Sequence, residues 1–148
     1  MSSKLLGLLI MLCATLLVSC HQETPAISIT DQWVRASAEG QEVGAAYMTI
    51  TSKSETSLVK IDSSIAEIVE IHQMSIENGV MKMRMAKELD LKANTPSHLA
   101  PGGYHLMLFD LKKPLKAGDE VQFSLHFKDK LNKETVVTVN SPVKTEQP

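Results

Sequence analysis

Cysteine is scarce in this sequence, with only Cys13 and Cys20 among its 148 residues. Both lie within the first twenty positions, so the rest of the chain has no thiol for a disulfide or for a thiolate metal site. A domain built from these later residues must therefore be stabilised by its apolar core alone. It also lacks the cysteine ligand that a blue copper electron-transfer centre requires.

The sequence also lacks the motifs and charge patterns of several large functional classes. Its 15 basic residues are scattered and are outnumbered by 17 acidic ones, so there is no basic stripe of the kind that binds nucleic acid. We find no Ser-His-Asp pattern, no metal-hydrolase motif and no Gly-rich phosphate loop. The sequence therefore predicts a protein that is not an enzyme and does not bind nucleic acid.

The first twenty residues predict export and a lipid anchor. Lys4 precedes an apolar stretch from Leu5 to Val18, which is typical of a signal peptide and too short for a comfortable membrane span. The stretch leads into Leu17-Val18-Ser19-Cys20, which resembles a bacterial lipobox. We therefore expect residues 1–19 to be a signal peptide, Cys20 to carry the lipid, and residues 20–26 to form a tether.

The lipobox resemblance implies a periplasmic or otherwise extracytoplasmic protein that is attached to a membrane by its lipid. His21 follows Cys20, which by the same resemblance favours the outer membrane in a cell that has one. The alternative is cleavage by the ordinary signal peptidase, which would leave Cys20 as a free or disulfide-bonded thiol.

The remainder of the chain has the pattern of an all-β protein. Short apolar-alternating runs rich in Val, Ile, Thr and aromatic residues recur, with turn residues between them. This pattern predicts one domain over residues 27–140, a sandwich or barrel of about eight strands, followed by a flexible tail over residues 141–148. The expected strands are Ile27–Arg35, Val43–Thr51, Ser57–Asp62, Glu67–Met74, Val80–Ala86, Tyr104–Phe109, Glu120–Phe127 and Thr135–Asn140.

Histidine and methionine side chains recur at alternate positions along three of these strands. His72 and Met74 are two residues apart, as are His105 and Met107, and three methionines alternate between residues 81 and 85. Side chains two apart on a strand share one face and lie roughly 6.5–7 Å apart, close enough for long side chains to meet at one ion. Thioether and imidazole donors suit copper(I) better than calcium, magnesium or structural zinc.

The spacing of four of these residues resembles that of the periplasmic copper chaperones. Those proteins carry a His, ten residues, a Met, twenty-one residues, a His, one residue and a Met, and this chain has His72, Met83, His105 and Met107 at that spacing. The neighbouring segments Glu70-Ile71-His72 and Pro101-Gly102-Gly103-Tyr104-His105 are also similar to the family's. At residue 73, some members carry Met where this chain has Gln73, and Met74 follows one position later.

The resemblance implies a cupredoxin-like Greek-key fold and a copper(I) site formed by these four side chains. It also implies that the protein carries copper outside the cytoplasm to a partner. The partners implied are the CuA-type subunit II of cytochrome c oxidase and a Sco-like thiol protein.

Other interpretations of the same residues stay open at this stage. Met81 and Met85 are expected to pack in the core, because flexible thioethers commonly fill β-cores. His98 and His126 are expected to be ordinary surface residues. The alternative function is that of a metal-free β-sandwich lipoprotein that acts as a scaffold or adhesion module, since a fold of this kind does not by itself imply metal binding.

Overall fold

The computed structural model describes residues 26–145, and these form ten β-strands. The predicted signal peptide and the lipidation site Cys20 lie outside the described residues, so both stay predictions. None of the residues from 26 to 145 forms a helix that is long and apolar enough to cross a membrane. The strands are β1 Ile27–Arg35, β2 Gly44–Ser52, β3 Thr56–Ser63, β4 Ala66–Glu77, β5 Val80–Ala86, β6 Leu89–Leu91, β7 Ser97–Leu99, β8 Tyr104–Leu111, β9 Glu120–Lys128 and β10 Glu134–Lys144.

The strands are arranged as a sandwich of two layers that are joined through β1 and β10. One layer has the order β5-β4-β8-β7-β2-β1 and the other the order β10-β9-β3-β6. The layers are linked by a short parallel pairing, in which Val34 and Arg35 of β1 face Val143 and Lys144 of β10. The prediction of an all-β sandwich is therefore confirmed.

Two details of the strand prediction are wrong. The short strands β6 and β7 were not expected, because three residues each are too few to show an alternating pattern. In addition, β10 continues to Lys144, so residues 141–144 belong to the strand and not to the expected tail. Ser141 and Val143 are buried there, which explains why the chain stays ordered beyond residue 140.

The core lies between the two layers, and strands such as β8 and β9 contribute alternate residues to it. On β9, Phe123, Leu125 and Phe127 are fully buried, and on β8, Leu106 and Leu108 are fully buried. Burying a side chain of this size stabilises the fold by about 1.5–3 kcal/mol. Because neighbouring residues of a strand point to opposite faces, the residues that alternate with this core on β8 and β4 face away from it.

The hairpin between β4 and β5 has the two-residue turn Asn78-Gly79. Both residues have a positive φ, 54° for Asn78 and 77° for Gly79, which is the backbone shape that an Asn-Gly turn adopts in tight hairpins. The turn pairs Glu77 with Val80 and fixes every later pair of the two strands. β5 is the edge strand of its layer, and its Lys82 and Arg84 form ion pairs with Glu77.

We predict that Gly79→Val destabilises the protein by about 1–2 kcal/mol, the cost of placing a residue with a β-carbon in the left-handed region. No atom lies within 4 Å of the added β-carbon, so the penalty is conformational and does not come from a clash. Urea denaturation measures the loss. The control Asn78→Gly also permits positive φ and should change stability much less, whereas equal stability of Gly79→Val and the native chain would contradict this account of the turn.

Candidate metal centre

Strand pairing brings the two predicted histidines side by side. His72 of β4 lies directly opposite His105 of β8, and the centroids of their rings are 6.1 Å apart. Both side chains point away from the core because their neighbours Ile71 and Leu106 point into it. Residues separated by 33 positions in the chain are thus brought within reach of one ion.

The two predicted methionines lie beside these histidines. Met107 follows His105 by two positions on the same face of β8, and Met83 of β5 lies opposite Met74 of β4. A shallow cavity of about 220 Å³ opens here and is lined by Met74, Met83, His105, Met107, Tyr47 and Arg35, together with Ala45, Pro101 and Gly102. Three of the four predicted ligands therefore line one cavity, and Met74 lines it with them.

His72 differs from the other three because it does not line this cavity. Its ring packs against Phe109, with a centroid distance of 5.8 Å, and its Nε2 lies 2.8 Å from Oε2 of Glu70. The Nδ1 atom of His72 is buried and has no hydrogen-bond partner among the described residues. His72 thus lies beside the candidate site, next to His105, which lines the cavity.

The orientation of His105 is fixed by the backbone. Its Nδ1 lies 3.0 Å from the carbonyl oxygen of Gly103, and a carbonyl can only accept a hydrogen bond. Nδ1 therefore carries the proton in the neutral ring, and the lone pair that could bind a metal lies on Nε2. The same carbonyl accepts a bond from the Met74 amide at 3.1 Å, which ties the loop before β8 to β4.

Aromatic and cationic side chains form the other wall of the cavity. Trp33 packs against Tyr47 at a centroid distance of 4.6 Å, and the Arg35 guanidinium lies 5.6 Å from the centre of the Tyr47 ring. Burial raises the pKa of the Tyr47 phenol, and the nearby Arg35 charge opposes this only in part. The phenol is therefore neutral at physiological pH. No carboxylate is among the residues that line the cavity, so the donors it offers are neutral.

The prediction that Met81 and Met85 pack in the core is wrong. Their exposed fractions are 63% and 62%, and that of Met83 is 48%. The alternation along β5 is real, but β5 is an edge strand, and its methionine face is exposed in the part of the chain that the structure describes. Most of the large exposed apolar side chains of residues 26–145 lie on β4 and β5, and they are Ile68, Ile76, Val80, Met81, Met83 and Met85.

The two remaining described histidines lie away from the cavity. His98 is exposed and contacts the Thr49 hydroxyl. His126, expected at the surface, is mostly covered and lies between two carboxylates, 2.9 Å from Asp62 and 2.8 Å from Glu134. Its hydrogen bond lowers the pKa of Glu134, while that of Asp62 is lowered mainly by Lys60.

Carboxylate and imidazole groups alone do not provide a metal site in this domain. Within residues 26–145, no three His, Cys, Asp or Glu side chains are arranged so that they could hold a metal ion. Beside the paired histidines, the thioether sulfurs of Met83 and Met107 are donors of the kind that favours a soft ion.

Comparison with known sequences identifies related proteins. The model of the family described as "Putative lipoprotein LpqE-like" matches residues 27–143. "Putative lipoprotein Lxx21020" of Leifsonia xyli subsp. xyli is 31% identical over 109 residues, which cover 73% of this chain and 66% of that protein. "Uncharacterized protein RP573" of Rickettsia prowazekii is 32% identical over 114 residues, which cover 73% of this chain and 63% of that protein. The chain thus spans slightly less than two thirds of the length of these relatives.

Comparison with solved structures identifies the same fold in other proteins. The solution structure of CuI-DR1885 from Deinococcus radiodurans superposes with a TM-score of 0.65 and 27% identity, covering 86% of this chain and 83% of that one. The copper-bound PCuAC domain from PmoF2 has a TM-score of 0.65 and 23% identity, covering 82% of this chain and 95% of that one. The second likeness shows a shared fold alone.

We predict that limited oxidation by hydrogen peroxide modifies Met81, Met83 and Met85 several times faster than Met48. Oxidation of methionine follows the exposure of its sulfur, and Met48 is only 2% exposed. Mass spectrometry of peptides after short peroxide treatment measures the order. Protection of Met81 and Met85 to the same degree as Met48 would mean that the outer face of β5 is covered.

Proposed function

Because the chain belongs to the LpqE-like lipoprotein family, we propose that it is a copper(I) chaperone that binds one ion through His72, Met83, His105 and Met107. The observation that carries the proposal is the direct pairing of His72 with His105, beside a cavity lined by Met83 and Met107. Three of the four proposed ligands line that cavity and His72 lies beside it, and all four come from the neighbouring strands β4, β5 and β8.

The donors favour copper(I) over other ions. Thioether sulfur is soft and neutral, and imidazole is borderline and neutral when it binds a metal, a combination that suits a monovalent soft ion. Calcium and magnesium need clustered oxygen ligands, and the lining of the cavity provides no carboxylate. The CuI form of the Deinococcus radiodurans protein has the same fold, which supports the choice of ion.

The contrast in burial between the ligands suggests how the ion is passed on. His105 is only 3% exposed, whereas Met83 is 48% exposed on an edge strand. We expect an incoming ligand of a partner to replace Met83 first, while the buried imidazole still holds the ion. The site binds and releases the ion without catalysing a reaction.

The partners and the location of the protein are part of the proposal. The family resemblance implies a CuA-type oxidase subunit II as the acceptor and a Sco-like thiol protein as a second partner. A diacylated Cys20 followed by a short tether would hold the domain at a membrane surface outside the cytoplasm. Two acyl chains give the stable anchoring that one chain does not.

Met74 is a further candidate donor to the same ion. It lines the cavity opposite Met83, whereas His72 lies beside the cavity. X-ray absorption of the copper(I) form separates the two ligand sets by counting neighbours. We expect two nitrogen and two sulfur neighbours. One nitrogen and three sulfur neighbours would mean that Met74 binds the ion in place of His72.

We predict that Met83→Leu weakens copper(I) binding by at least about tenfold, because loss of even a supporting residue costs a metal site that much. Competition with a chromophoric copper(I) chelator under reducing conditions measures the affinity. Met81→Leu is the matched control, since Met81 lies on the same face of the same strand and is similarly exposed. If the native chain binds no copper(I), the protein is instead a metal-free scaffold or adhesion module.

A further inference from the structure

Glu70 contacts Nε2 of His72, one of the proposed ligands, and this nitrogen cannot bind a metal while the contact is made. Its Oε2 lies 2.8 Å from His72 Nε2, and both residues lie on the outer face of β4. The side chains are 32% and 13% exposed respectively, so the contact is partly shielded from water. Glu70 also lies directly opposite Met107 of β8, which places it next to a second proposed ligand.

The two nitrogen atoms of a neutral imidazole have different roles, since one donates a hydrogen bond and the other accepts. An ionised carboxylate only accepts, so His72 must carry its proton on Nε2 in order to bond to Glu70. The lone pair of His72 then lies on Nδ1. This is the atom that is buried and has no hydrogen-bond partner among residues 26–145.

We propose that Glu70 is a positioning residue that fixes His72 with its proton on Nε2, so that Nδ1 is the nitrogen that binds copper(I). The proposal rests on the proposed function. His105 is fixed in the opposite sense, because its Nδ1 donates to the Gly103 carbonyl and the lone pair of the neutral ring therefore lies on Nε2. The paired histidines thus present different nitrogen atoms to one ion. His72 presents Nδ1 because the Glu70 side chain holds its Nε2, and His105 presents Nε2 because the Gly103 carbonyl holds its Nδ1.

The charge of Glu70 gives this contact a second effect. A copper(I) ion held by neutral imidazole and thioether groups keeps its full positive charge, and Arg35 lines the same cavity. A carboxylate that is hydrogen-bonded to one ligand makes that ligand a stronger donor and offsets part of the charge. Glu70 therefore both orients His72 and stabilises the bound ion.

The first test reads the protonated nitrogen of each histidine in the metal-free protein by long-range ¹H–¹⁵N NMR correlation. We expect His72 to be protonated on Nε2 and His105 on Nδ1, and the ¹⁵N shifts that move on adding copper(I) to be those of His72 Nδ1 and His105 Nε2. A His72 ring that is protonated on Nδ1, or that binds copper(I) through Nε2, would overturn the inference.

The second test compares variants of acidic residues on β4. Glu70→Gln keeps the size of the side chain and an oxygen that can accept the hydrogen bond from His72, but it removes the charge. We expect it to weaken copper(I) binding by about 10–100-fold, as changes to the partner of a metal-binding histidine usually do. Glu67→Gln is the control, because Glu67 is more exposed and contacts Lys112. Glu70→Asp keeps the charge but is too short to preserve the contact, so it should lose affinity as well.

The outcomes separate this inference from the function on which it rests. Copper(I) affinities of Glu70→Gln and Glu70→Asp that both equal that of Glu67→Gln would overturn the role of Glu70 and leave the chaperone proposal intact. Failure of the native chain to bind copper(I) would overturn both the chaperone function and the assignment of Nδ1 as a ligand. The proton positions in the metal-free protein would still decide whether Glu70 orients His72.

Discussion

The candidate site depends on the register of three neighbouring strands. Backbone hydrogen bonds align β4 with β8 so that His72 faces His105, and the turn at Asn78-Gly79 aligns β5 with β4 so that Met83 faces Met74. A slip of one residue in either pairing would turn a whole row of side chains to the other face. Between β4 and β8 the core enforces this register, because Ile71 and Leu106, which alternate with the two histidines, are buried. On β5 the residues that alternate with Met83 are exposed, so its alignment depends on the turn.

The candidate site combines proposed ligands from a buried region and from an exposed edge. His105 is buried, its ring orientation is fixed by the Gly103 carbonyl, and Tyr47 lies 6.4 Å from it. Met83 lies on the last strand of the layer, which has a neighbour on one side only. A site of this kind keeps part of its geometry while one donor is exchanged, which is what transfer of an ion between two proteins requires.

The long strands were predicted from the alternating pattern, and the family was predicted from the spacing of the histidines and methionines. Both predictions are confirmed. Alternation identified β1 and β5 at their observed bounds, because their patterns are long and uninterrupted. The same alternation could not show whether the methionine face of β5 is covered, since that depends on the position of the strand in the sheet. Nor could it show the contact between Glu70 and His72, which requires the side-chain orientation. The signal peptide and the lipidation of Cys20 lie outside residues 26–145 and stay predictions.

The two-residue turn between β4 and β5 also limits how the length of this chain can vary. Surface loops usually accept an inserted residue at small thermodynamic cost. One residue added here can be absorbed in two ways: a three-residue loop with a bulge keeps the pairing of β4 with β5, whereas a loop that stays at two residues shifts β5 by one position and moves Met83 to the face that now holds Lys82 and Arg84. In the second case the proposed donor Met83 would leave the face that carries His72 and Met74. The interval between His72 and Met83 is thus tied to the length of this turn and to the pairing that it imposes on β4 and β5.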